Sequence, residues 1–376
     1  MIDCGIVYAE EIESMRILIT ILDSITETSM PFNEFALYRA THYPEEKQIL
    51  IICGLKGELP KVEIPENLEI IYAGRKLIGI RNTVQKVIKD CKKAGIPYVV
   101  HMHQVQSGFL AEFAMLGTGF RKKVLFTVHS TFTGYELHNK FLSFINTLFA
   151  QRVTCVSNIA YQKYPKFIKR IKGNRIQALQ NGVDTERIDS VLSGIEERKD
   201  NNYISFIYVA RFVPIKNHKF LVDVLKRCDS NVRFVFVGSE DEQKAVRYKA
   251  ENEGIADQII FTGLISRNEV FNQLKNADYY ISSSTLEGLP VSVLEAMYCG
   301  LPCILSDIPQ HREVAYDKAV ILSYDVNEWS KEINRMAKMN TEEREKLSQS
   351  IKDYVVENFT LSRMHEKYDM IYDLLR

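Results

Sequence analysis

Short, continuous apolar runs rich in β-branched residues alternate with longer helical patterns along almost the whole chain, and this alternation restricts the fold more than any other feature. "RILITIL" (16–22), "QILIICG" (48–54), "LEIIYAG" (68–74), "YVVHMH" (98–103), "KVLFTVHS" (123–130) and "RVTCVS" (152–157) read as strands. A helical span such as "IRNTVQKVIKDCKKAG" (80–95) separates them. The runs lack period-two alternation, so they suit parallel strands covered on both faces. After the polar stretch 193–203 a second series begins: "ISFIYVAR" (204–211), "VRFVFVG" (232–238), "QIIFTG" (258–263), "YYISSS" (279–284), "PCILSD" (302–307) and "AVILS" (319–323). Helices are predicted near 217–228, 240–253, 267–276 and 290–299. Two βα series in 376 residues imply two doubly wound α/β domains, predicted as 1–195 and 196–358. A last amphipathic helix in 359–376, with Met364, Tyr368, Ile371, Tyr372 and Leu375 on one face, is expected to pack back on the first domain. Ligands of such sheets sit outside the carboxyl ends of the strands, so a site shared by two facing domains is the expectation.

Formal net charge is zero, but its distribution is uneven: residues 75–175 hold 18 Lys/Arg against three acids, Asp90, Glu112 and Glu136. That asymmetry points to an anionic partner or surface on one side. The seven cysteines are scattered and none has CxxC spacing, which reads as reduced structural thiols in a cytosol. Residues 1–14 read as a short extension before "MRILITIL". No run of about 18 apolar residues and no basic-then-apolar leader pattern is present, so the expectation is a cytoplasmic protein with at most peripheral membrane contact.

The stretch "LEGLPVSVLEAMYCGLPCILSD" (286–307) carries the chemistry. Glu287 follows the strand "YYISSS", at the end where ligands bind. Gly288 permits a tight turn, Leu289 follows, and Pro290 suits the first position of a helix. The N–H groups of Val291, Ser292 and Val293 are then expected to point from the positive end of that helix, an anion site. Glu295 lies one and a half turns in, with a side chain leaning back toward the N-terminus, where it could accept both hydroxyls of a ribose. From spacing alone this stands level with a plainer reading, a solvated Glu295 and a loop Glu287.

The longer segment "ADYYISSSTLEGLPVSVLEAMYCGLPCILSD" resembles the E-x7-E signature of retaining glycosyltransferase family 4, whose fold is GT-B, two facing Rossmann-like domains with a cleft between them. Glu313 fits the family's usual downstream acid. "YVARFVPIKNH" (208–218) resembles the family's Arg…Lys motif, which implies that Arg211 and Lys216 grip the donor's diphosphate. Two cations there would offset the negative charge that develops on the leaving group. "RFVFVGSE" places Gly238 at the nucleotide pocket, and "IIFTGLIS" places Gly263, Leu264 and Ile265 against the base. "LQNGVDTERI" (179–188) resembles the segment that closes the N-terminal domain. In the first domain, "FTVHST" resembles the family's Thr-x-His stretch and implies that His129 lies against the donor sugar. Ser130 stands where the family often has Asp. "VVHMHQ" places His101 and His103 beside the cleft, either as structural histidines or as substrate contacts. Metal ligation by His101, His103 and His129 lacks a nearby acid to complete it. "ILDSITETSMPFNEF" (21–35) departs from the family's Gly-Gly turn.

The resemblance implies a retaining, metal-independent hexosyltransferase without a cofactor. It would move a sugar from a nucleotide-sugar donor, a UDP-sugar first, to a glycan or lipid-linked acceptor in polysaccharide or glycoconjugate synthesis. The alternatives are a non-catalytic GT-B partner subunit and another GT-B enzyme, such as a nucleotide-sugar epimerase or sugar phosphorylase. "YQKYPKFIKRIKGNR" (161–175) interleaves aromatic and aliphatic residues with six Lys/Arg. It is either a solvated face or a docking segment for an anionic membrane leaflet. No nucleic-acid motif accompanies it, and neither first βα turn carries the GxGxxG of an NAD oxidoreductase.

Overall fold

The computed structural model describes residues 16–25, 29–54, 62–119, 121–194, 202–239 and 242–376. The leading segment 1–14 and the predicted boundary at 195–196 lie outside them. The chain forms two compact units, residues 1–180 with 365–376, and 181–364.

In the first unit β1 (Arg16–Leu22) is followed by a π-helical turn (Pro31–Leu37) running into α1 (Tyr38–His42). Then come β2 (Glu46–Ile52), β3 (Leu68–Tyr72), α2 (Leu77–Ala94), β4 (Tyr98–Met102), α3 (Val105–Met115), β5 (Val124–Val128) and α4 (Leu137–Phe149). β6 (Arg152–Cys155), α5 (Asn158–Gln162), α6 (Lys166–Lys172) and β7 (Ile176–Ala178) complete it. Seven strands, all paired in parallel, lie in the order β3-β2-β1-β4-β5-β6-β7. β4 and β5 are buried at every position, which is why their sequences are apolar except at His101 and Thr127, whose side chains bond each other. α2 buries Ile80, Val84, Val87, Ile88 and Cys91 at helical spacing and stops at Gly95, whose φ of 71° is open to glycine and costly for other residues.

The second unit begins with α7 (Thr185–Ser193) and continues through β8 (Ile204–Val209), α8 (His218–Leu225), β9 (Val232–Val237), α9 (Gln243–Asn252), β10 (Ile259–Gly263) and α10 (Arg267–Asn276). β11 (Tyr279–Ser282), α11 (Val291–Tyr298), β12 (Cys303–Ser306), α12 (Pro309–Ala315), β13 (Val320–Leu322), α13 (Val326–Ala337), α14 (Thr341–Asn358) and α15 (Leu361–Asp373) follow. Its six parallel strands run β10-β9-β8-β11-β12-β13. The division of the chain at 180–181 has a local cause. Tyr298 donates to Asp189 Oδ2 at 2.6 Å and Lys275 Nζ to Leu192 O at 3.1 Å, which fastens α7 to the second unit.

α15 starts in the second unit, and from His365 onward it belongs to the first. Tyr372 OH meets His101 Nδ1 at 2.9 Å there, and Tyr368 OH lies 3.3 Å from the hydroxyls of Thr127 and Thr154. Arg39, fully buried, contacts Glu46 Oε1 at 2.7 Å and Asp369 Oδ1 at 2.8 Å, while Arg376 pairs with the second oxygen of Glu46. Each sheet reverses its strand order next to its first strand, at β1/β4 and β8/β11. These are the crevices where open α/β sheets bind ligands.

Candidate functional site

The second unit gathers its chemistry at the β8/β11 switch. After β11 the chain is stitched to the turn Pro214–Lys216: Ser283 Oγ donates to Lys216 O at 3.1 Å and Asn217 O at 3.0 Å, and Thr285 N donates to Ile215 O at 2.7 Å. Asn217 takes a left-handed φ of 52° to turn the chain into α8. The buried hydroxyl of Tyr208 donates to Lys216 O at 3.0 Å and shares a 2.8 Å bond with Ser284 Oγ. This frame aims Lys216 Nζ at Glu287 Oε1, 2.5 Å away, with both side chains largely out of solvent. Arg211, just after β8, is exposed, and its guanidinium has no hydrogen-bond or ion-pair partner among the described residues. An unpaired guanidinium on the same βα connection as the half-buried Lys216 is suited to receive an anionic ligand.

Glu295 sits in α11, almost fully buried, and its Oε1 accepts from Arg267 NH2 at 2.5 Å. Burial raises its pKa, and the Arg267 and Arg187 charges pull in the opposite direction. The plainer expectation of a solvated Glu295 is therefore excluded. An isolated buried carboxylate is also excluded, because a cation from α10 holds one oxygen. The sequence reading missed Arg267. Its only signal is a cation at the first position of α10, just after the loop Gly263–Leu264–Ile265.

The amino end of α11 differs from expectation. Val291 N donates to Leu289 O at 2.9 Å and Val293 N to Pro290 O at 3.1 Å. Only Ser292 N–H of the expected three lacks a backbone acceptor among the described residues. The Pro290 turn folds tightly enough to satisfy the other two within the chain. Gly288 and Leu289 form that turn, and Ser292 Oγ accepts from Tyr280 OH at 3.0 Å. Gly238 has φ of 143°, and a Cβ there would stand 2.1 Å from Ala210 O, so the ends of β8 and β9 meet over a glycine by necessity. Gly238 N donates to Gly263 O at 3.0 Å, Leu264 is exposed, and Ile265 is half-buried.

The first unit presents a cavity of about 490 Å³ at the β1/β4 switch, lined by Asp23, His103, Gln104, His129, Tyr135 and Asn139 among others. Asp23 follows β1, in the segment whose sequence departs from the family pattern. Its N–H donates to Gln104 Oε1 at 2.5 Å, and burial raises its carboxyl pKa. His103 Nδ1 and His129 Nε2 are 3.1 Å apart. Burial lowers the pKa of His129 to about 4 and that of His103 well below the usual imidazole value, so both rings are neutral at pH 7. His103 Nε2 has no hydrogen-bond partner. A proton there would be a buried orphan donor, which favours Nδ1–H on His103, donating to His129 Nε2 and leaving the His129 proton on Nδ1. His101 resolves as structural: its nitrogens meet Tyr372 OH at 2.9 Å and Thr127 Oγ1 at 2.7 Å. Among the described residues no group of three or more His, Cys, Asp or Glu is arranged to hold a metal ion.

Two family descriptions match the chain in tandem: Glycosyltransferase Family 4 over residues 49–187 and Glycosyl transferases group 1 over residues 195–354. The capsular polysaccharide biosynthesis glycosyltransferase CapH of Staphylococcus aureus is 28% identical over 72% of this chain and 75% of its own. The UDP-Gal:alpha-D-GlcNAc-diphosphoundecaprenol alpha-1,3-galactosyltransferase of Escherichia coli is 23% identical over 81% of each chain. Among solved structures, Anabaena HepE in complex with UDP and glucose superposes with a TM-score of 0.75 at 14% identity, covering 95% of this chain and 99% of that one. With two parallel-sheet α/β units, each matching one half of the family's pattern, the chain belongs to glycosyltransferase family 4 and has the GT-B fold.

Proposed function

We propose that this glycosyltransferase moves a hexosyl group from a nucleoside-diphosphate sugar, a UDP-sugar first, to a hydroxyl of a glycan or lipid-linked acceptor, with retention at the anomeric carbon. The observation that carries the reading is the cation arrangement at the β8/β11 switch, an unpaired Arg211 guanidinium on the same βα connection as Lys216, which pairs with Glu287. Both relatives named above act in surface-glycan or diphosphoundecaprenol-linked chemistry by their names, and one uses UDP-galactose, which supports the donor and acceptor classes.

In the proposed reaction the acceptor oxygen attacks the anomeric carbon from the face that the diphosphate leaves. The C–O bond to the diphosphate breaks as the new glycosidic bond forms. The acceptor proton passes to the departing phosphate oxygen. Arg211, Lys216 and Ser292 N–H meet the charge on that group, so no metal ion is required of the mechanism. Glu287 accepts from a hydroxyl of the donor sugar once Lys216 turns to phosphate. Glu295, held by Arg267, accepts from the ribose. Gly238, Gly263, Leu264 and Ile265 border the base. His129, neutral with its proton on Nδ1, offers a hydrogen bond to the donor sugar without adding positive charge. Asp23 is proposed to accept from an acceptor hydroxyl.

A thermal-shift panel with UDP, GDP, ADP and CMP, on wild type and Arg211→Ala, tests the reading. Arg211 is the right side chain to remove because it has no internal partner to strand. At a hundredfold excess over the dissociation constant a true ligand adds roughly 2.7 kcal/mol of stability. One diphosphate should shift the wild type and shift the variant much less, and transfer should survive EDTA. If none of the diphosphates shifts the wild type, the donor site is refuted. Binding without transfer to any acceptor favours a partner subunit over an enzyme.

A further inference from the structure

Helix α4 is built inside out. Its buried positions are Ser143, Asn146 and Thr147, all polar. Each is satisfied within the first unit: Ser143 Oγ and Thr147 Oγ1 meet the hydroxyl of Tyr164 at 3.2 and 2.5 Å, and Asn146 Nδ2 donates to Val105 O at 2.9 Å. Phe144 and Phe149 pack in part against the core of the first unit, while other apolar residues of the helix face outward. Leu137, Phe141, Phe144 and Leu148 recur at helical spacing, with Leu137 83% and Phe141 61% exposed. A helix that packs on a core normally shows the reverse pattern.

α6 buries Ile168 in the core of the first unit but carries a second apolar stripe on its outer side. Phe167 and Ile171, one turn apart, are 57% and 56% exposed. Lys172 is buried instead, its ammonium donating to Ala150 O and, at 3.4 Å, to Leu148 O, so it caps the carboxyl end of α4. Lys169 Nζ turns back onto Tyr161 O and Gln162 O, both at 3.1 Å, and Arg175 donates to Lys172 O at 3.2 Å and Ile171 O at 3.3 Å. Three of the six cations in 161–175 are therefore occupied with backbone carbonyls. Lys163, Lys166 and Arg170 remain exposed, and α4 adds half-buried Lys140, with exposed Glu136 just before the helix. The rings of Phe144 and Phe167, 5.9 Å between centroids, join the two stripes into one patch.

We propose that the outward faces of α4 and α6 dock the first unit onto an anionic lipid bilayer, with Leu137, Phe141, Phe167 and Ile171 entering the boundary between headgroups and acyl chains. Contiguous apolar patches of this kind mark interaction surfaces, whereas scattered exposed leucines do not. The cations at the edge select the occupant. A second copy meeting this face symmetrically would bring Lys163, Lys166 and Arg170 toward their like-charged equivalents. A leaflet of anionic headgroups pairs with them while its acyl region receives the apolar stripe. Among the described residues no helix is long and apolar enough to cross a membrane, so the contact is a surface one. The proposal deepens the acceptor reading, since it would bring the enzyme to a lipid-linked substrate, but docking itself depends only on α4 and α6.

The test is co-sedimentation of the full chain with vesicles of phosphatidylcholine alone and of phosphatidylcholine with 30% phosphatidylglycerol, at about 0.1 and 0.5 M salt. Wild type should sediment with the anionic vesicles and keep measurable binding at the higher salt, because apolar insertion is not screened. Phe141→Ser with Phe167→Ser should weaken partition by about a hundredfold or more, as expected for two large apolar side chains. Leu137→Ser with Ile171→Ser tests the same face should the first pair fail to fold. Lys163→Glu, Lys166→Glu and Arg170→Glu together should remove the preference for anionic vesicles. The proposal is overturned if wild type stays in the supernatant, or if both serine pairs sediment like wild type. It is also overturned if light scattering shows a dimer that the serine pairs dissociate, which would make a second copy the occupant. The nucleotide panel on the same preparations reports separately on the donor site, so a failure of either reading is seen without the other.

Discussion

His365 is a group whose protonation the fold directly opposes. In α15 its Nε2–H donates to Glu34 O at 2.8 Å, its Nδ1 faces Arg39 NH1 at 3.4 Å, and its ring stacks on Tyr38 at 4.8 Å. Burial first, and the Arg39 charge second, lower its pKa to about 3, against roughly 6.5 in the unfolded chain. The native state thus prefers the neutral ring. Its stabilisation is fully present above pH 6.5 and is lost progressively as pH falls toward 3. Between pH 6.5 and about 4.5 the loss is roughly 2.7 kcal/mol, two units at about 1.36 kcal/mol each. Urea unfolding followed by circular dichroism at several pH values between about 7 and 4.5 reads this directly when wild type is compared with His365→Gln. Glutamine keeps a donor for Glu34 O but cannot titrate. The other buried histidines lose stability in both proteins and cancel in the difference. The wild-type curve should fall relative to the variant by roughly 2.7 kcal/mol over that range. Parallel curves would refute the placement of His365 as a buried neutral ring between Arg39 and Glu34.

Two further perturbations probe the second unit. Gly238→Ala places a Cβ 2.1 Å from Ala210 O at φ of 143° and should cost more than about 3 kcal/mol in urea unfolding. Gly194→Ala, where the nearest atom is Val191 O at 3.7 Å, should stay within about 0.5 kcal/mol, and equal effects would sink the close-approach argument. Glu295→Met removes the carboxylate that accepts from Arg267 and should lose about 1–3 kcal/mol, part of it recovered in Glu295→Met with Arg267→Met. A single variant as stable as wild type would mean that the pair is not formed.

The twelve strands read from sequence are all present because each is a covered parallel strand, whose apolar run is dense enough to be seen locally. β7 was missed: it has three residues, pairs only with β6, and alternates with exposed Gln177. Helix α4 escaped for a different reason. Its fully buried positions are polar while Leu137 and Phe141 are exposed, so its pattern says little about which side meets the core. Glu287 was placed after β11 by the turn residues around it, whereas Arg211 and Lys216 were named only by the family resemblance. Arg267 and Asp23 were not legible. Arg267 reaches Glu295 across 28 positions, and Asp23 borders the cavity only because the topology sets β1 against β4. The amino end of α11 shows the limit of motif geometry: Pro290, expected at the first helical position, stands one residue before it with ψ of 79°, and the turn takes up two of the three N–H groups expected to be free.

The two carboxylates at this site are not equivalent, and their partners explain why. Arg267 holds Glu295 from within a nearly closed environment, where a guanidinium keeps its charge and its fork geometry regardless of what approaches. That pair is a fixed support: it keeps an acceptor oxygen in place, and releasing it would leave the buried Glu295 carboxylate without this cation. Lys216 and Glu287 are bound more loosely, as a flexible ammonium and a carboxylate at 17% and 12% side-chain exposure. An anion arriving at Lys216 must compete with Glu287, and each step of that exchange frees the carboxylate for a neutral hydroxyl donor. The Arg211 guanidinium, with no partner among the described residues to give up, meets no such competition. On the proposed reading a diphosphate is therefore first held by Arg211, and only then draws Lys216 from Glu287. The same movement that completes the phosphate contacts exposes the acid that receives the sugar, so a nucleotide without a sugar leaves Glu287 without a replacement for the bond it lost. The Lys216–Glu287 pair thereby favours the complete donor over its diphosphate product, using residues that a sequence motif marks only as two charges seventy-one positions apart.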